Sequence, residues 1–208
     1  MNRERRVGLR VGLTGGLASG KSTVGTWLSE AGFRVLDADR IVAELYAPGG
    51  AGAAAVRRLF GDEYLDAQGG VDHRRLAERV FADGEARKQL ERAIHPLVRD
   101  RFLELTASDP GIVVLDATLL AEAGYAPDFD FIVTVEAPSG VRLQRAVARG
   151  MDEGTARARL LAQGEGAARR DAAHRVLDNC CELPDLRRQV EELIDELQRL
   201  ANQPPAGG

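Results

Sequence analysis

Residues 15–23 read Gly-Gly-Leu-Ala-Ser-Gly-Lys-Ser-Thr, and no other stretch of the 208-residue chain limits its possible folds so tightly. The spacing fits G-x-x-x-x-G-K-[ST], a phosphate-binding loop. Such a loop works only between a strand and a helix. Its glycines let the backbone curl until successive N–H groups face one anion, and the helix that follows turns its positive N-terminal end to the same point. The flanks meet that demand. Val7, Leu9, Val11 and Leu13 alternate with Gly8, Arg10, Gly12 and Thr14, the period of a strand. Residues 22–30 contain no proline and no breaker except Gly25, and Gly32 is placed to end a helix there. Gly15, Gly16, Leu17, Ala18, Ser19, Gly20, Lys21, Ser22 and Thr23 are therefore candidate ligands of a nucleotide's phosphates. In that reading Lys21 reaches the β and γ phosphates and Ser22 offers its hydroxyl to Mg²⁺.

The strand–helix alternation continues. Short apolar runs recur at FRVLDAD, at GIVVLDATLL (111–120), at FDFIVTVEA (129–137) and, more weakly, at HRVLDNC (174–180), with helix-compatible sequence between. Strands that read as continuous apolar runs between helices imply an α/β fold, a parallel five-stranded sheet covered by helices on both faces. Leu186, Val190, Leu193, Ile194, Leu197 and Ala201 trace one apolar face of a last helix, which QPPAGG stops. Two stretches exceed the minimal alternation. Residues 47–109 lack a convincing strand and read as a helical insertion. Residues 142–175 hold eight arginines against four acids, a surplus of four positive charges that leaves −8 for the rest of a chain of net charge −4. Arg142, Arg145 and Arg149 share a face if helical; alone, such a face is also what a solvated surface helix carries. The core is then 7–46, 110–141 and 174–202, with an arginine-rich helical segment over 142–173.

Several function classes are excluded. A net acidic chain, with 28 Lys+Arg against 32 Asp+Glu, lacks the basic domain of a dedicated nucleic-acid binder. No apolar run approaches the roughly 18 residues of a membrane span, and MNRERRVGLR is charged where a secretory signal is apolar, so a cytoplasmic location is expected. Cys180 and Cys181 are adjacent and cannot build a disulfide framework or a structural zinc site. The dinucleotide pattern G-x-G-x-x-G does not occur, and with lysine only at 21 and 88 the N-K-x-D guanine-reading motif cannot exist. Nothing points to an obligate protein partner.

Phosphoryl chemistry needs a carboxylate at the end of a strand beside the loop, holding the metal through water. Asp116 closes the run Ile112, Val113, Val114, Leu115 and meets that need, although an acid can also simply terminate a strand. Asp37 and Asp39 end the second strand, where ligands bind in such sheets. From the residues alone, Asp39 reads equally as the N-cap of a helix starting near Arg40 or as a base for an attacking hydroxyl. His95, before a proline, alone reads as a packing or turn residue.

Taken together, GLTGGLASGKSTV, VLDAD some fifteen residues on, IHPLV at 94–98, LDATLLAE at 115–122, and Arg149 followed by Gln163, Arg169 and VLDN at 176–179 resemble the dephospho-coenzyme A kinase family. The resemblance runs from Val7 to Asn179. It implies a P-loop kinase fold of the nucleoside monophosphate kinase type, in which 47–109 is the acceptor-binding domain and 142–173 a mobile lid. The implied reaction moves the γ-phosphate of ATP to the ribose 3′-hydroxyl of dephospho-coenzyme A, with Mg²⁺. It further implies Asp39, Lys21 and Arg149 as catalytic; Arg145, Arg149, Arg169 and Asn179 on ATP; Asp39, His95, Arg99 and Leu119 on the acceptor; and Ser22 with Asp116, the latter via water, on the metal. The family's Pro and aromatic after the strand-end acid are Thr118 and Ala121 here, and an arginine often found after Asp72 is His73.

Overall fold

The computed structural model describes residues 8–118, 120, 126–180 and 182–203. Val7, Leu119, Ala121 and Cys181 lie outside them. Strand β1 (Leu9–Gly15) runs into the glycine-rich loop, and helix α1 (Lys21–Glu30) leaves it. Then come β2 (Arg34–Asp37), α2 (Ala38–Tyr46), α3 (Ala51–Phe60), α4 (His73–Ala82) and α5 (Gly84–Thr106). β3 (Ile112–Asp116), β4 (Phe131–Glu136), α6 (Ser139–Ala148), α7 (Glu153–Gln163), α8 (Ala167–Ala172), β5 (Arg175–Asp178) and α9 (Leu183–Ala201) complete the order.

The sheet has the order β2-β3-β1-β4-β5. β1 is central, parallel to β3 with Leu9 opposite Ile112 and parallel to β4 with Val11 opposite Phe131. β5 continues it in parallel, Val133 opposite Arg175. Every residue of β4 is buried, which is why its run FIVTVE is almost uninterruptedly apolar. On one face Val11, Leu13, Val114, Val133, Val135 and Leu177 meet Val24 and Leu28 of α1 and the stripe Leu186, Val190, Leu193 and Leu197 of α9. Each fully buried Leu or Val contributes on the order of 1.5–3 kcal/mol. On the opposite face Leu120 and Phe129 close over Gly12, where a β-carbon would come within 2.6 Å of the leucine. His174 ties the start of β5 to β4, its N–H donating to the Ile132 carbonyl and its Nδ1 accepting the Ile132 N–H.

The described residues form two compact units, Asp37–Leu105 and the remainder. The second unit is helical but begins ten residues before the boundary expected at 47. Asp37 is at once the end of β2 and the N-cap of α2, so no linker sequence marks the change, and α2 is pinned within the insertion because the Tyr46 carbonyl accepts the Val71 N–H at 2.9 Å. The arginine-rich segment is three helices within the first unit, α6 starting at Ser139, ahead of the expected 142. Among the described residues, no helix is long and apolar enough to cross a membrane.

Candidate active site

The loop after β1 is shaped by its sequence. Gly20 has φ of 105° and precedes the first residue of α1, and a β-carbon there would collide with the Asn179 amide. Only glycine tolerates both the left-handed backbone and the approach. Gly16 is crowded in the same way by the Arg142 guanidinium. Asn179 donates from Nδ2 to the Ser19 carbonyl at 2.7 Å, and its own N–H donates to the Glu136 carbonyl at 2.8 Å. The Leu17 N–H donates to Gln163 Oε1 at 2.8 Å, while Arg142 Nε donates to the Leu17 carbonyl at 2.9 Å.

Sheet register brings the strand-end acid to this loop. Asp116 is opposite Leu13, two residues before Gly15, and the Ala117 N–H donates to the Leu13 carbonyl at 3.0 Å. Lys21 Nζ, in the first turn of α1, pairs directly with Asp116 Oδ1. Asp116 Oδ2 faces the next turn of α1, 3.6 Å from where a β-carbon of Gly25 would sit. The Ser22 side chain stands exposed in the first turn. The Thr14 hydroxyl donates to the Thr118 carbonyl at 3.0 Å, fixing the chain just beyond Asp116.

Positive charge is concentrated around the loop. Arg142 is 3% exposed, and burial first, then the neighbouring Arg169, hold its pKa below the usual guanidinium value, with Glu136 acting in the opposite sense. Arg169 is not on the surface either. Its Nε meets Glu136 Oε1 at 3.1 Å with both side chains 1% exposed, and the Thr134 hydroxyl donates to the same oxygen at 2.7 Å. Arg145 Nη2 donates to Asn179 Oδ1 at 3.3 Å. Its Nη1 and Ser19 Oγ are buried without a hydrogen-bond partner among the described residues. Arg149 caps the end of α6 and is exposed. A cleft of about 660 Å³ lies between α6 and α7, lined in part by Arg142, Leu143, Arg157, Leu160 and Arg170. Fixed N–H groups, a lysine and buried guanidinium groups around one loop suit a polyphosphate.

The structure thus brings Lys21, Asp116, Ser22, Arg145, Arg142 and Asn179 to one loop. Asn179 and Arg169 contact protein groups there, the Ser19 backbone and Glu136 respectively. Asp39, His95 and Arg99 belong to the second unit. There Asp37 Oδ1 accepts the Asp39 N–H at 2.8 Å, so Asp37 is the cap and Asp39 is an exposed acid of the first turn of α2. Asp39 does not end the second strand as expected, because β2 stops at Asp37 and α2 begins at Ala38. His95 is half-buried in α5, its pKa pushed down by burial and partly restored by Glu91. Arg99 follows four residues later on the same helix, its Nη1 3.6 Å from Asp100. His73 packs its ring 5.6 Å from that of Tyr46, and burial raises the Tyr46 pKa to about 12. Leu119 is outside the described residues.

Glu136 and the roles of Arg142 and Gln163 escape a reading of the sequence. Glu136 ends an apolar strand just as Asp116 does, a usable signal. Nothing local marks Arg142 as buried, because its partners come from residues 17 and 163.

The sequence model of the family described as Dephospho-CoA kinase matches residues 9–185. The dephospho-CoA kinase of Streptomyces avermitilis is 43% identical over 199 residues, covering 94% of this chain and 97% of the relative. The crystal structure of TT1252 from Thermus thermophilus superposes with a TM-score of 0.76 at 35% identity, over 91% of this chain and 98% of that one. Dephospho-CoA kinase from Campylobacter jejuni shares the fold, with a TM-score of 0.68 at 23% identity, over 91% and 97% of the two chains. With a P-loop answered by a strand-end aspartate and a family match over residues 9–185, the chain belongs to the dephospho-CoA kinase family.

Proposed function

We propose that the protein transfers the γ-phosphoryl group of ATP to the ribose 3′-hydroxyl of dephospho-coenzyme A, giving coenzyme A and ADP, with Asp39 as the base. The observation that carries the reading is the Lys21–Asp116 pair at the mouth of the P-loop in a chain that matches the family over residues 9–185. The acceptor oxygen attacks the γ-phosphorus in line, the bond from that phosphorus to the β–γ bridging oxygen breaks, and the hydroxyl proton passes to Asp39. Asp39 suits this role because its side chain is not the helix cap. Lys21 turns from Asp116 to the β and γ phosphates. Arg149, Arg145 through its unpartnered Nη1, and Arg169 beside Glu136 supply positive charge to the phosphates, and loop N–H groups other than those of Leu17 and Ser19, which Gln163 and the Gly16 carbonyl take, hold the β-phosphate.

Ser22 and Asp116 would hold Mg²⁺, Asp116 through water. A hydroxyl and a carboxylate from the first turn of α1 and the end of β3 are the hard oxygen donors this ion takes alongside phosphate oxygens. Held there, the ion would offset charge developing on the β and γ oxygens. Asn179 supports nucleotide by holding Ser19. On the acceptor side His95 and Arg99 lie one turn apart on α5, within a helical acceptor unit that also carries Asp39, while Leu119 follows β3. Residues 142–173 act as the lid that keeps water from the phosphoryl group. A cytoplasmic location fits an ATP-consuming enzyme whose acceptor carries a thiol.

The test is a coupled ADP assay with mass-spectrometric detection of product. ATP and dephospho-coenzyme A should give coenzyme A, and nucleosides, shikimate and gluconate should give rates at least about a hundredfold lower, the discrimination expected of a site that hydrogen-bonds its substrate. Faster transfer to any of those acceptors would overturn the assignment.

A further inference from the structure

We infer that Arg142 and Gln163 are positioning residues that latch the C-terminal end of α7 to the P-loop and hold the two peptide groups flanking Leu17 in the orientation nucleotide requires. The inference rests on the proposed use of this loop for ATP. Leu17 has both backbone groups engaged by side chains from outside the loop. Its N–H donates to Gln163 Oε1 at 2.8 Å, and its carbonyl accepts from Arg142 Nε at 2.9 Å. Arg142 Nη2 then donates to the same Gln163 oxygen at 2.9 Å, closing a ring of three hydrogen bonds.

The ring has mechanical consequences. The two peptide groups that flank the Leu17 Cα are each held by one of these bonds, which restrains φ and ψ of Leu17, so the curl of the loop at this residue is set by residues of the arginine-rich segment. Gln163 is the last residue of α7, and Gly164 beyond it has φ of 60°, a natural pivot. Displacement of α7 therefore pulls on Leu17. The ring also explains a costly feature. Arg142 is 3% exposed in a neighbourhood that already contains Arg169, with Glu136 as the acid among them. A second buried guanidinium is unfavourable unless its planar fork does work that a neutral side chain or a lysine cannot do. Bridging a carbonyl oxygen and an amide oxygen at once is such work.

Three variants test the latch: Gln163→Met, which keeps the volume without the acceptor; Arg142→Lys, which keeps the charge without the fork; and the double variant. Each is measured for ATP dissociation constant, for KM and kcat with both substrates, and for exchange of the Leu17 amide by NMR. The single changes should each raise the ATP dissociation constant and KM about tenfold, the worth of one hydrogen bond. kcat and the acceptor KM should stay within about threefold, and Leu17 exchange should accelerate at least tenfold. The double variant should be no weaker than the worse single by more than about twofold, since both changes break one device.

Unchanged ATP affinity in a folded Gln163→Met protein would overturn the latch, as would parental affinity in Arg142→Lys, which would reduce Arg142 to a charge. Effects that multiply in the double variant would overturn it too. Should Arg142→Lys not fold, Gln163→Met decides alone through Leu17 exchange and ATP affinity. Both are read without turnover, so a wrong acceptor assignment would leave this test intact.

Discussion

Asp37 and Asp39 stand two residues apart and differ in what their carboxylates do. Asp37 accepts the Asp39 N–H at 2.8 Å and caps α2, whereas the Asp39 side chain takes no part in the cap. Asp39→Asn should therefore leave the melting temperature unchanged while transfer to dephospho-coenzyme A falls by about 10²- to 10⁴-fold, the range for loss of a general base. Near-normal turnover in a stable Asp39→Asn protein would remove Asp39 from the chemistry. Asp37→Ala should show the complementary pattern, losing about 1 kcal/mol of stability with the cap. His95 carries a pH signature. Burial holds its pKa below the ordinary value, so the unfolded chain binds a proton that the folded protein resists. Stability should be fully present above pH of about 6.5 and be lost as pH falls from there towards the lowered folded pKa. His95→Gln should flatten that slope in urea titrations taken at successive pH values. An unaltered slope would show that other groups govern it.

At the level of elements, the parts readable from sequence are those whose geometry is dictated locally. β1, the loop and α1 follow from one motif and its flanks, and α9 from a stripe of Leu186, Val190, Leu193 and Leu197 that ends fully buried. What was not readable depends on partners distant in the chain. The insertion starts at Asp37 rather than 47 because α2 is held by Val71, twenty-five residues beyond Tyr46. Arg142 reads as a member of a solvated arginine face until the fold supplies Leu17 and Gln163 to receive it. For the candidate site, the loop and the strand-end place of Asp116 beside it were legible, and which of Asp37 and Asp39 caps α2 was not. The helices α6 to α8 make a kinetic prediction. Amide exchange across residues 142–173 should slow when ATP analogue and acceptor are both bound, as a segment closing on substrate requires. Equal exchange with and without ligands would leave these helices a static part of the core unit.

For the whole molecule, charge is unevenly placed, with eight arginines among residues 142–175 of a chain whose net charge is −4. A polyanionic substrate is drawn to that region and repelled elsewhere. The KM for ATP should then rise several-fold between about 0.05 and 0.3 M salt, as the Debye length shrinks below 10 Å, with kcat little affected. A salt-independent KM would mean that contacts alone, and not the field, recruit nucleotide. The sheet order has a consequence for how the chain is made. β1 lies between β3 and β4, both of which follow the whole of the second unit. A ribosome adding about 5–20 residues per second needs roughly 5–20 s to travel the hundred or so residues from Leu9 to Ile112. Throughout that interval β1 has no strand to pair with, while the mainly helical residues 37–105 emerge. The phosphate cradle is completed later still, once Asn179, the last in chain order of the residues that hold the loop, has been made.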